Sequence, residues 1–423
     1  MKIKKHLSFT ALRTMISEQV RSWLDPRREK STEHTIHDAV MSGLACMYFQ
    51  HPSLLQFQTE MEKTYHQNNM HTLFDVKKIP SSNTIKDILD NQDSQQFQPL
   101  HKNVVQQLQR SKQLKPFDLF PGYKICSMDA TQYHTSYSIH CDGCLTANKN
   151  NPDKPTRYYH SALQAAMMHP DVKQVIPLGA EPIKNTDGCK KQDCEINAAK
   201  RFVPKLRQQL PKMNLIITGD DLFSHQPMIE TVIKHHYHYF FVAKESSHTF
   251  MTEWLQAKGP LNEIKAINKK GQIVLHQWMN DVPLVAGEEA IRVNFFRKKT
   301  ITVDALGIET HCRIESWITS FEVTAKRVRL FVRGAKTRWK VENECFNTLK
   351  NQGYHLTHNY GHGEKHLAFN FYQLTVLAFT LHQVAELCDI VYQACRKMAG
   401  SKRSLWEKLR TFVNSFIFES LEQ

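Results

Sequence analysis

The sequence lacks any apolar run long enough to cross a membrane. A spanning helix needs roughly 18 consecutive apolar residues, whereas the best segment, 374–381, is short and contains Thr375 and Thr380. The sequence also lacks a signal-peptide pattern, because the basic start Met1-Lys-Ile-Lys-Lys5 is followed by polar residues and not by an apolar segment. These absences predict a cytoplasmic protein without a membrane partner.

The sequence also contains few cysteines, and it has fewer acidic than basic residues. The 10 cysteines among 423 residues are too few for a dense disulfide framework, and in a reducing compartment they are expected to be free thiols. The 41 Asp and Glu are outnumbered by 55 Lys and Arg, which gives a formal net charge of +14. Such an excess favours a polyanionic partner, and the chain is long enough for two or three domains.

Acidic residues stand at the ends of two predicted strands. The segment Tyr123–Met128 is apolar, has no helix period and is followed by Asp129, so it is predicted to be a first core strand. Asn214–Gly219 is short and apolar enough to be a strand buried on both faces. Its glycine is expected to let the chain turn at Asp220 and Asp221, so one of these two acids should point into a site shared with Asp129.

A third acid lies in a predicted helix. Residues 338–350 contain no Pro or Gly, and at about 100° per residue Arg338 and Glu342 fall within one apolar arc, whereas Glu344 falls outside it near Lys340. The apolar members of the arc are Trp339, Val341, Cys345, Phe346 and Leu349. A carboxylate on a buried helix face is costly unless it is paired or binds metal, while Glu344 and Lys340 form an ordinary solvated pair. The pattern therefore favours Glu342.

The three acids, in this order, resemble the triad of the DDE transposases of bacterial insertion sequences, in the branch with a Tyr-Arg-Glu-Lys signature. Three residues separate Arg338 from Glu342, as in that signature. The second motif of the family is an Asp followed three residues later by an aromatic, which Asp220 and Phe223 match and Asp221 does not. The order and spacing of the motifs together make the resemblance specific, and it covers most of the chain.

The signature also differs at two positions. Ala335 stands where the family has tyrosine and Leu349 where it has lysine, with Lys350 one residue later. The resemblance implies that Arg338 contacts DNA close to the metals, and that Lys336 and Lys350 contact DNA beside the site. Basic residues are concentrated along this part of the chain, which agrees with a DNA-binding surface.

The family resemblance implies an α/β fold, with an RNase H-like mixed sheet flanked by helices. It implies two Mg²⁺ or Mn²⁺ ions per active site, with Asp129 bridging both ions and Asp220 and Glu342 each holding one. The expected activity is DNA cleavage at the ends of an insertion sequence, followed by strand transfer into target DNA. The expected partners are the terminal inverted repeats and the target DNA, bound by a homodimer in the bacterial cytoplasm at the nucleoid.

The predicted organisation has five parts. Residues 1–115 form an N-terminal helical domain that is a candidate for binding DNA ends, and 117–249 form the first part of the catalytic core, in the order strand, strand, strand, helix, strand, helix, strand. Residues 250–323 are a β-rich insertion. Residues 324–400 complete the core, with a buried helical hairpin or one long helix at 365–398, and 401–423 are a C-terminal tail.

A Cys-x-x-Cys motif leaves the possibility of a Zn²⁺ site open. The motif lies where a zinc knuckle could join the first two core strands, although no second motif has convincing ligand spacing. Its candidate ligands are His140, Cys141, Cys144, His160 and Cys194. The histidine-rich segment 355–366 is broken by two glycines, so it is predicted to be a loop beside the active site, with some histidines contacting phosphate.

Two alternatives to a transposase remain open. The first is an RNase H-like nuclease that cuts DNA without joining the ends to a second DNA. The second is a catalytically inactive, zinc-stabilised DNA-binding regulator, which would keep the basic surface and would need no carboxylate triad. Divalent-ion-dependent nicking excludes the regulator, and joined products exclude the simple nuclease.

Overall fold

The computed structural model describes residues 5–25, 27, 32–61, 63–149, 151–185, 192–304 and 308–422. The chain has a mixed α/β architecture, in which helices pack against an 11-stranded, mainly antiparallel sheet. The helices and strands predicted from periodicity are found in nearly the predicted places, because the hydrophobic period follows the geometry of each element.

The described residues up to Arg110 form α-helices and short 3₁₀ helices with connecting loops. Ser8, Thr35 and Ser81 begin three of the helices, since each side-chain oxygen accepts a hydrogen bond from a backbone N–H of the first turn. The helices are α1 (Phe9–Arg21), α2 (Ile36–Tyr48), α3 (Leu54–Met61), α4 (Thr64–Phe74), α5 (Ser82–Asp90) and α6 (Gln98–Arg110).

The five strands expected in the first part of the core are all present, together with two short strands that were not predicted. They are β1 (Asp118–Phe120), β2 (Tyr123–Ser136), β3 (Leu145–Ala147), β4 (Arg157–Met168), β5 (Ile176–Ile183), β6 (Asn214–Gly219) and β7 (His238–Val242), with helices α7 (Glu195–Gln209) and α8 (Gln226–Lys234). Strand β2 pairs antiparallel with β4, and β4 pairs antiparallel with β5. On its other side β2 is parallel to β6, and β6 is parallel to β7. The ends of β2 and β6 are thereby brought side by side.

The predicted β-rich insertion does not form a separate sheet. It begins with helix α9 (Thr249–Lys258) and continues as β8 (Asn262–Ile267), β9 (Ile273–Pro283), β10 (Arg292–Val303) and β11 (Glu309–Thr319). Strand β11 pairs antiparallel with β7, with Ile318 opposite Phe241. The insertion therefore extends the core sheet, because its last strand pairs with the backbone groups along the edge of β7.

The segment predicted as one helix from 338 to 350 is interrupted. It follows helix α10 (Val328–Lys336) and a turn, and contains a π-helical turn, Val341–Phe346, before α11 (Asn347–Asn351). The last helices are α12 (Leu367–Cys388), α13 (Ile390–Met398) and α14 (Lys402–Ser415). The predicted C-terminal tail is thus largely helical, and Asn69 of α4 donates hydrogen bonds to the carbonyls of Val413 and Phe416.

Helix α12 joins the two ends of the chain to the sheet. It packs against α2, α5, α6 and β5, and its central residues Leu374 and Leu377 are fully buried in the main hydrophobic cluster. Among the described helices, none is long and apolar enough to span a membrane by itself. Helices α12 and α13 satisfy length and composition only as a pair that is bent by 94°.

Candidate functional site

The first two predicted acids lie on neighbouring parallel strands. Ser127 of β2 is opposite Thr218 of β6, and their hydroxyl groups are 2.5 Å apart. Asp129 and Asp220 each follow two residues later, at the point where β6 ends. Because neighbouring strands lie about 4.8 Å apart, the parallel pairing places these two acids side by side.

The aromatic residue three positions after Asp220 has a steric role. Phe223 is fully buried, and a Cβ atom on Gly219 would lie 2.4 Å from its ring. Gly219 does not have a positive φ angle, so a left-handed backbone conformation is not the reason for glycine at this position. Glycine is required because the Phe223 ring packs directly on the end of β6 and holds the following 3₁₀ turn against the sheet.

Asp221 has a structural role that distinguishes it from Asp220. Its buried carboxylate accepts hydrogen bonds from the Lys244 N–H at 2.7 Å and from the Ser247 hydroxyl. These contacts hold the loop that follows β7. Asp220 instead accepts a local hydrogen bond from the Leu222 N–H at 2.9 Å, and its negative charge raises the pKa of Asp129.

Glu342 lies on the π-helical turn and not on the buried helix face predicted for it. Its side chain is 51% exposed, and Trp339, placed in the same apolar arc, is 46% exposed. The predicted phase assumed about 100° per residue from Arg338, whereas a turn at residues 337–338 and the i→i+5 bonding of a π-helix shift the side chains around the axis. The other predicted apolar members, Val341, Cys345, Phe346 and Leu349, are buried.

The expected solvated pair between Lys340 and Glu344 is also wrong. Lys340 is buried, and its ammonium group donates hydrogen bonds to the carbonyls of His169 and Val172, both at 2.8 Å. Burial lowers the pKa of Lys340, and the charge of Glu344 opposes this effect. Lys340 therefore fastens the segment that carries Glu342 to the loop after β4.

Arg338 brings Asp129 and Glu342 into one electrostatic group. Its Nη1 atom is 2.9 Å from Glu342 Oε1 and 3.6 Å from Asp129 Oδ2. The guanidinium group is 25% exposed, so its positive charge acts between two acids in a partly desolvated place. In the structure Arg338 is therefore an ion-pair partner of Glu342 and lies close to Asp129.

The pKa of Asp129 is raised to about 6. Burial of the carboxyl group is the main cause, and the nearby charges of Glu342 and Asp220 add to it. The positive charge of Arg338 and the Ala130 N–H act in the opposite direction. A buried carboxyl that is surrounded by other acids is costly to ionise, and shifts of this kind are frequent at functional sites.

A fourth acid, Glu195, was missed by sequence reasoning. It is the first residue of α7, and its buried Oε1 atom has no hydrogen-bond partner among the described residues. The pKa of Glu195 is raised to about 8, mainly by burial and also by the charges of Asp129 and Asp220, while the Ala130 N–H and the charge of Arg338 act in the opposite direction. The only signal in the sequence is an acid at a helix start, which is too common at helix N-termini to identify a functional residue.

Of the two lysines predicted to contact DNA, one lies near the acids and the other pairs with an acid of β11. Lys350 is half-buried, and burial lowers the pKa of its ammonium group, while the charge of Asp129, which is near enough to act on it, has the opposite effect. The Lys336 ammonium group is 2.7 Å from the Glu315 carboxylate of β11. Arg338 and Lys350 thus belong to the acidic group, whereas Lys336 pairs with the extended part of the sheet.

The donor set of the acidic group suits a hard cation. Asp129, Asp220, Glu342 and Glu195 provide only carboxylate oxygens, which Mg²⁺ and Mn²⁺ prefer, and Glu195 has an unsatisfied buried oxygen. Within the described part of the chain, no three of these acids have donor atoms that all lie within 4.8 Å of one another. Like charges repel, and Arg338 offsets part of this negative charge through its ion pairs with Glu342 and Asp129.

A second group of potential ligands lies beyond the acids. The donor atoms of Cys141, Cys144, His160 and His362 all lie within 4.8 Å of one another. Two of the suggested zinc ligands are elsewhere, since His140 stacks on Tyr158 at 4.2 Å and Cys194 is exposed before α7. Segment 355–366 was predicted to be a loop beside the active site with some histidines contacting phosphate. His362 of this segment instead lies against the thiols of Cys141 and Cys144.

Comparisons with known proteins add little to this geometry. No family model and no curated protein matches the chain. A cryo-EM structure of a piggyBac transposase synaptic complex with hairpin DNA is similar with a TM-score of 0.42 and 12% sequence identity, covering 97% of this chain and 79% of that chain. At this level the likeness carries no argument about function.

Proposed function

We propose that this protein is a DDE-type transposase that cuts DNA at the ends of an insertion sequence and joins the ends to target DNA. The observation that carries the proposal is the ion pairing of one guanidinium nitrogen, on Arg338, with both Glu342 and Asp129, beside Asp220 at the end of the neighbouring strand. Residues that match three separate motifs of the family thus belong to one electrostatic group.

The proposal includes an RNase H-like core. It is supported by the neighbour order β5, β4, β2, β6, β7, in which the first three strands are antiparallel and the last three are parallel. The helices α7 and α8 follow β5 and β6 in the chain. This arrangement agrees with the predicted order of three strands followed by alternating helices and strands.

Asp129, Asp220 and Glu342 are proposed to hold two Mg²⁺ or Mn²⁺ ions. When bound, such ions lower the pKa of the attacking water or 3′-hydroxyl and stabilise the leaving oxygen. Glu195 is proposed as a fourth acid of the site, since its raised pKa, about 8, lets it hold a proton near neutral pH. Arg338 offsets the negative charge of the acids, and its planar group suits a phosphate oxygen pair.

The proposed partners are terminal inverted repeats and target DNA, bound by a homodimer. The formal charge of +14 supports a polyanionic partner. Arg338 and Lys350 are proposed to contact DNA beside the acids. Lys336 is proposed as a more distant contact that must leave Glu315 to bind phosphate.

The test is a reaction of the purified protein with labelled DNA that carries the ends of the host element, together with a second target DNA and Mg²⁺. We expect cleaved ends and products in which the ends are joined to the target. Cleavage without joining would support the nuclease alternative, and binding without any cleavage would support the inactive regulator. Asp129→Asn is the matched control, because it keeps the side-chain shape and removes the charge.

A further inference from the structure

The Cys/His group lies where three segments of the chain meet. Cys141 and Cys144 belong to the loop between β2 and β3, His160 to β4, and His362 to the loop between α11 and α12. The two sulfur atoms are 3.9 Å apart, and Cys144 Sγ is 3.5 Å from His160 Nε2 and 3.3 Å from His362 Nε2. The two Nε2 atoms are 3.1 Å apart, so all four donors are directed to one centre.

These separations agree with a tetrahedral zinc ion. With Zn–S bonds of about 2.3 Å and Zn–N bonds of about 2.0–2.1 Å, a regular tetrahedron keeps two sulfurs about 3.8 Å apart, sulfur and nitrogen about 3.5 Å apart and two nitrogens about 3.3 Å apart. The distance of 3.6 Å between Cys141 Sγ and His160 Nε2 also agrees. Two thiolates and two imidazoles are a ligand set that selects zinc over Mg²⁺ or Ca²⁺.

The backbone around the cysteines is folded as a metal-binding turn requires. The Cys144 N–H donates to the Cys141 carbonyl at 3.0 Å, and the Cys141 N–H lies 3.5 Å from Cys144 Sγ. The turn brings both sulfurs to the same side, and an N–H directed at sulfur favours the thiolate form that binds metal.

The loop that carries His362 is held by contacts of its own. Gly363 has a φ of +66°, and a Cβ atom there would lie 2.4 Å from the Asp90 carboxylate. That carboxylate accepts hydrogen bonds from four backbone N–H groups, including those of His366 and Leu367 at 2.9 Å each. His362 is therefore placed opposite the cysteines by a fixed backbone and not by its side chain alone.

We propose that Cys141, Cys144, His160 and His362 bind one structural Zn²⁺ ion. Four protein ligands complete a tetrahedral shell, which leaves no open position for a substrate and distinguishes the site from a catalytic zinc centre. The ion fastens the loop after the Glu342-bearing segment to the β2–β3 loop and to β4. This inference is independent of the proposed DNA chemistry.

The test measures zinc in the full-length protein, purified under reducing conditions without chelator from a zinc-supplemented culture. We expect one zinc per chain by elemental analysis, and near-background zinc in Cys144→Ser and His362→Asn. His140→Asn and Cys194→Ser are matched controls and should retain the metal, since both residues lie outside the group. Asp129→Asn should also retain full zinc, so a failure of the zinc proposal can be told apart from a failure of the proposed function.

A second measurement uses only the wild-type protein, so it tests the proposal even if a ligand variant does not fold. Zinc is removed from the wild-type protein with a chelator, and Co²⁺ is added while the visible spectrum is recorded. Tetrahedral cobalt absorption with a thiolate-to-metal band, displaced by Zn²⁺, supports the proposal. A reduced wild-type chain that contains no zinc and takes up neither ion would overturn it, and equal loss of zinc in either control variant would overturn the ligand assignment.

Discussion

The two groups of potential metal ligands differ in how far they are assembled without an ion. In the Cys/His group four donor atoms already lie within 4.8 Å of one another. In the acidic group the Glu342 side chain is 51% exposed, and Arg338 makes an ion pair with it and lies close to Asp129. The first group is closed and dense, while the second is open and held by an internal cation.

The charges of the donors explain this difference. The Cys/His group does not bring several charges of one sign together, so a folded backbone can hold its four donors close to one another before metal arrives. Carboxylates are negative near neutral pH, and bringing several together in a partly buried site raises their pKa values or requires a positive partner. The comparison teaches that a dense ligand group suits a structural ion, whereas dispersed acids suit an ion that arrives with substrate.

The largest expected effect is the loss of DNA cleavage when an acid of the proposed active site is replaced. Asp129→Asn, Asp220→Asn and Glu342→Gln should each reduce DNA cleavage by roughly a thousandfold or more, because each removes a ligand charge worth several kcal/mol in the transition state. Gel assays of end cleavage measure the loss, and binding to the ends should change little. Glu344→Gln is the control for Glu342→Gln, and normal cleavage by any of the three variants would remove that residue from the site.

A second prediction distinguishes the neighbouring acids at the end of β6. Asp221→Asn should lower the free energy of unfolding by about 1–3 kcal/mol, because the buried group then offers fewer acceptors to the Lys244 N–H and the Ser247 hydroxyl. Asp220→Asn should leave stability nearly unchanged. Urea unfolding of both variants measures this, and equal stability losses would mean that Asp221 is not the structural acid of the pair.

A third prediction tests whether the cation within the acidic group also contacts DNA. Arg338→Lys keeps the charge and loses the planar double donor, so cleavage should fall roughly tenfold, the loss of one charge-assisted hydrogen bond. Thermal melting with and without DNA separates the two roles of Arg338. A large stability loss without DNA, with normal cleavage by the folded protein, would identify Arg338 as an ion-pair partner only.

The smallest expected effect concerns pH and the metal-free protein. The native pKa values of Asp129 and Glu195, about 6 and about 8, are above the value of about 4 for carboxyl groups of an unfolded chain. Between about pH 4 and about pH 8 the native state binds more protons than the unfolded state. The contribution of these two groups to the free energy of unfolding is therefore largest below about pH 4 and decreases as the pH rises towards 8. Added Mg²⁺ should oppose the decrease.

Glu195→Gln provides the comparison for this pH effect. The variant removes the group with the higher pKa, so its melting temperature should fall less between pH 6 and pH 8, the window between the two cited pKa values. Melting curves of both proteins in chelator, at matched ionic strength, measure the difference. Parallel pH dependence in the two proteins would show that Glu195 does not carry the raised pKa.

Local patterns were enough for most of the individual elements. The apolar runs before Asp129 and Asp220 predicted β2 and β6, and their burial agrees with strands covered on both faces. The preference for Asp220 over Asp221 came from the family resemblance, whose second motif has an aromatic residue three positions after the aspartate, as Phe223 is after Asp220. The sequence thus determined which segments become strands and which acids were worth comparing.

The tertiary structure decided which distant residues meet. Cys144 and His362 are 218 residues apart, and nothing in the local pattern of either residue predicts the other. Glu195 and the π-helical turn at Glu342 were missed for a related reason, since burial, charge and helical phase depend on neighbours from other strands and loops. The hydrophobic periodicity of a segment shows which of its faces packs on the core. A ligand site depends on side chains from distant segments that only the folded chain brings together.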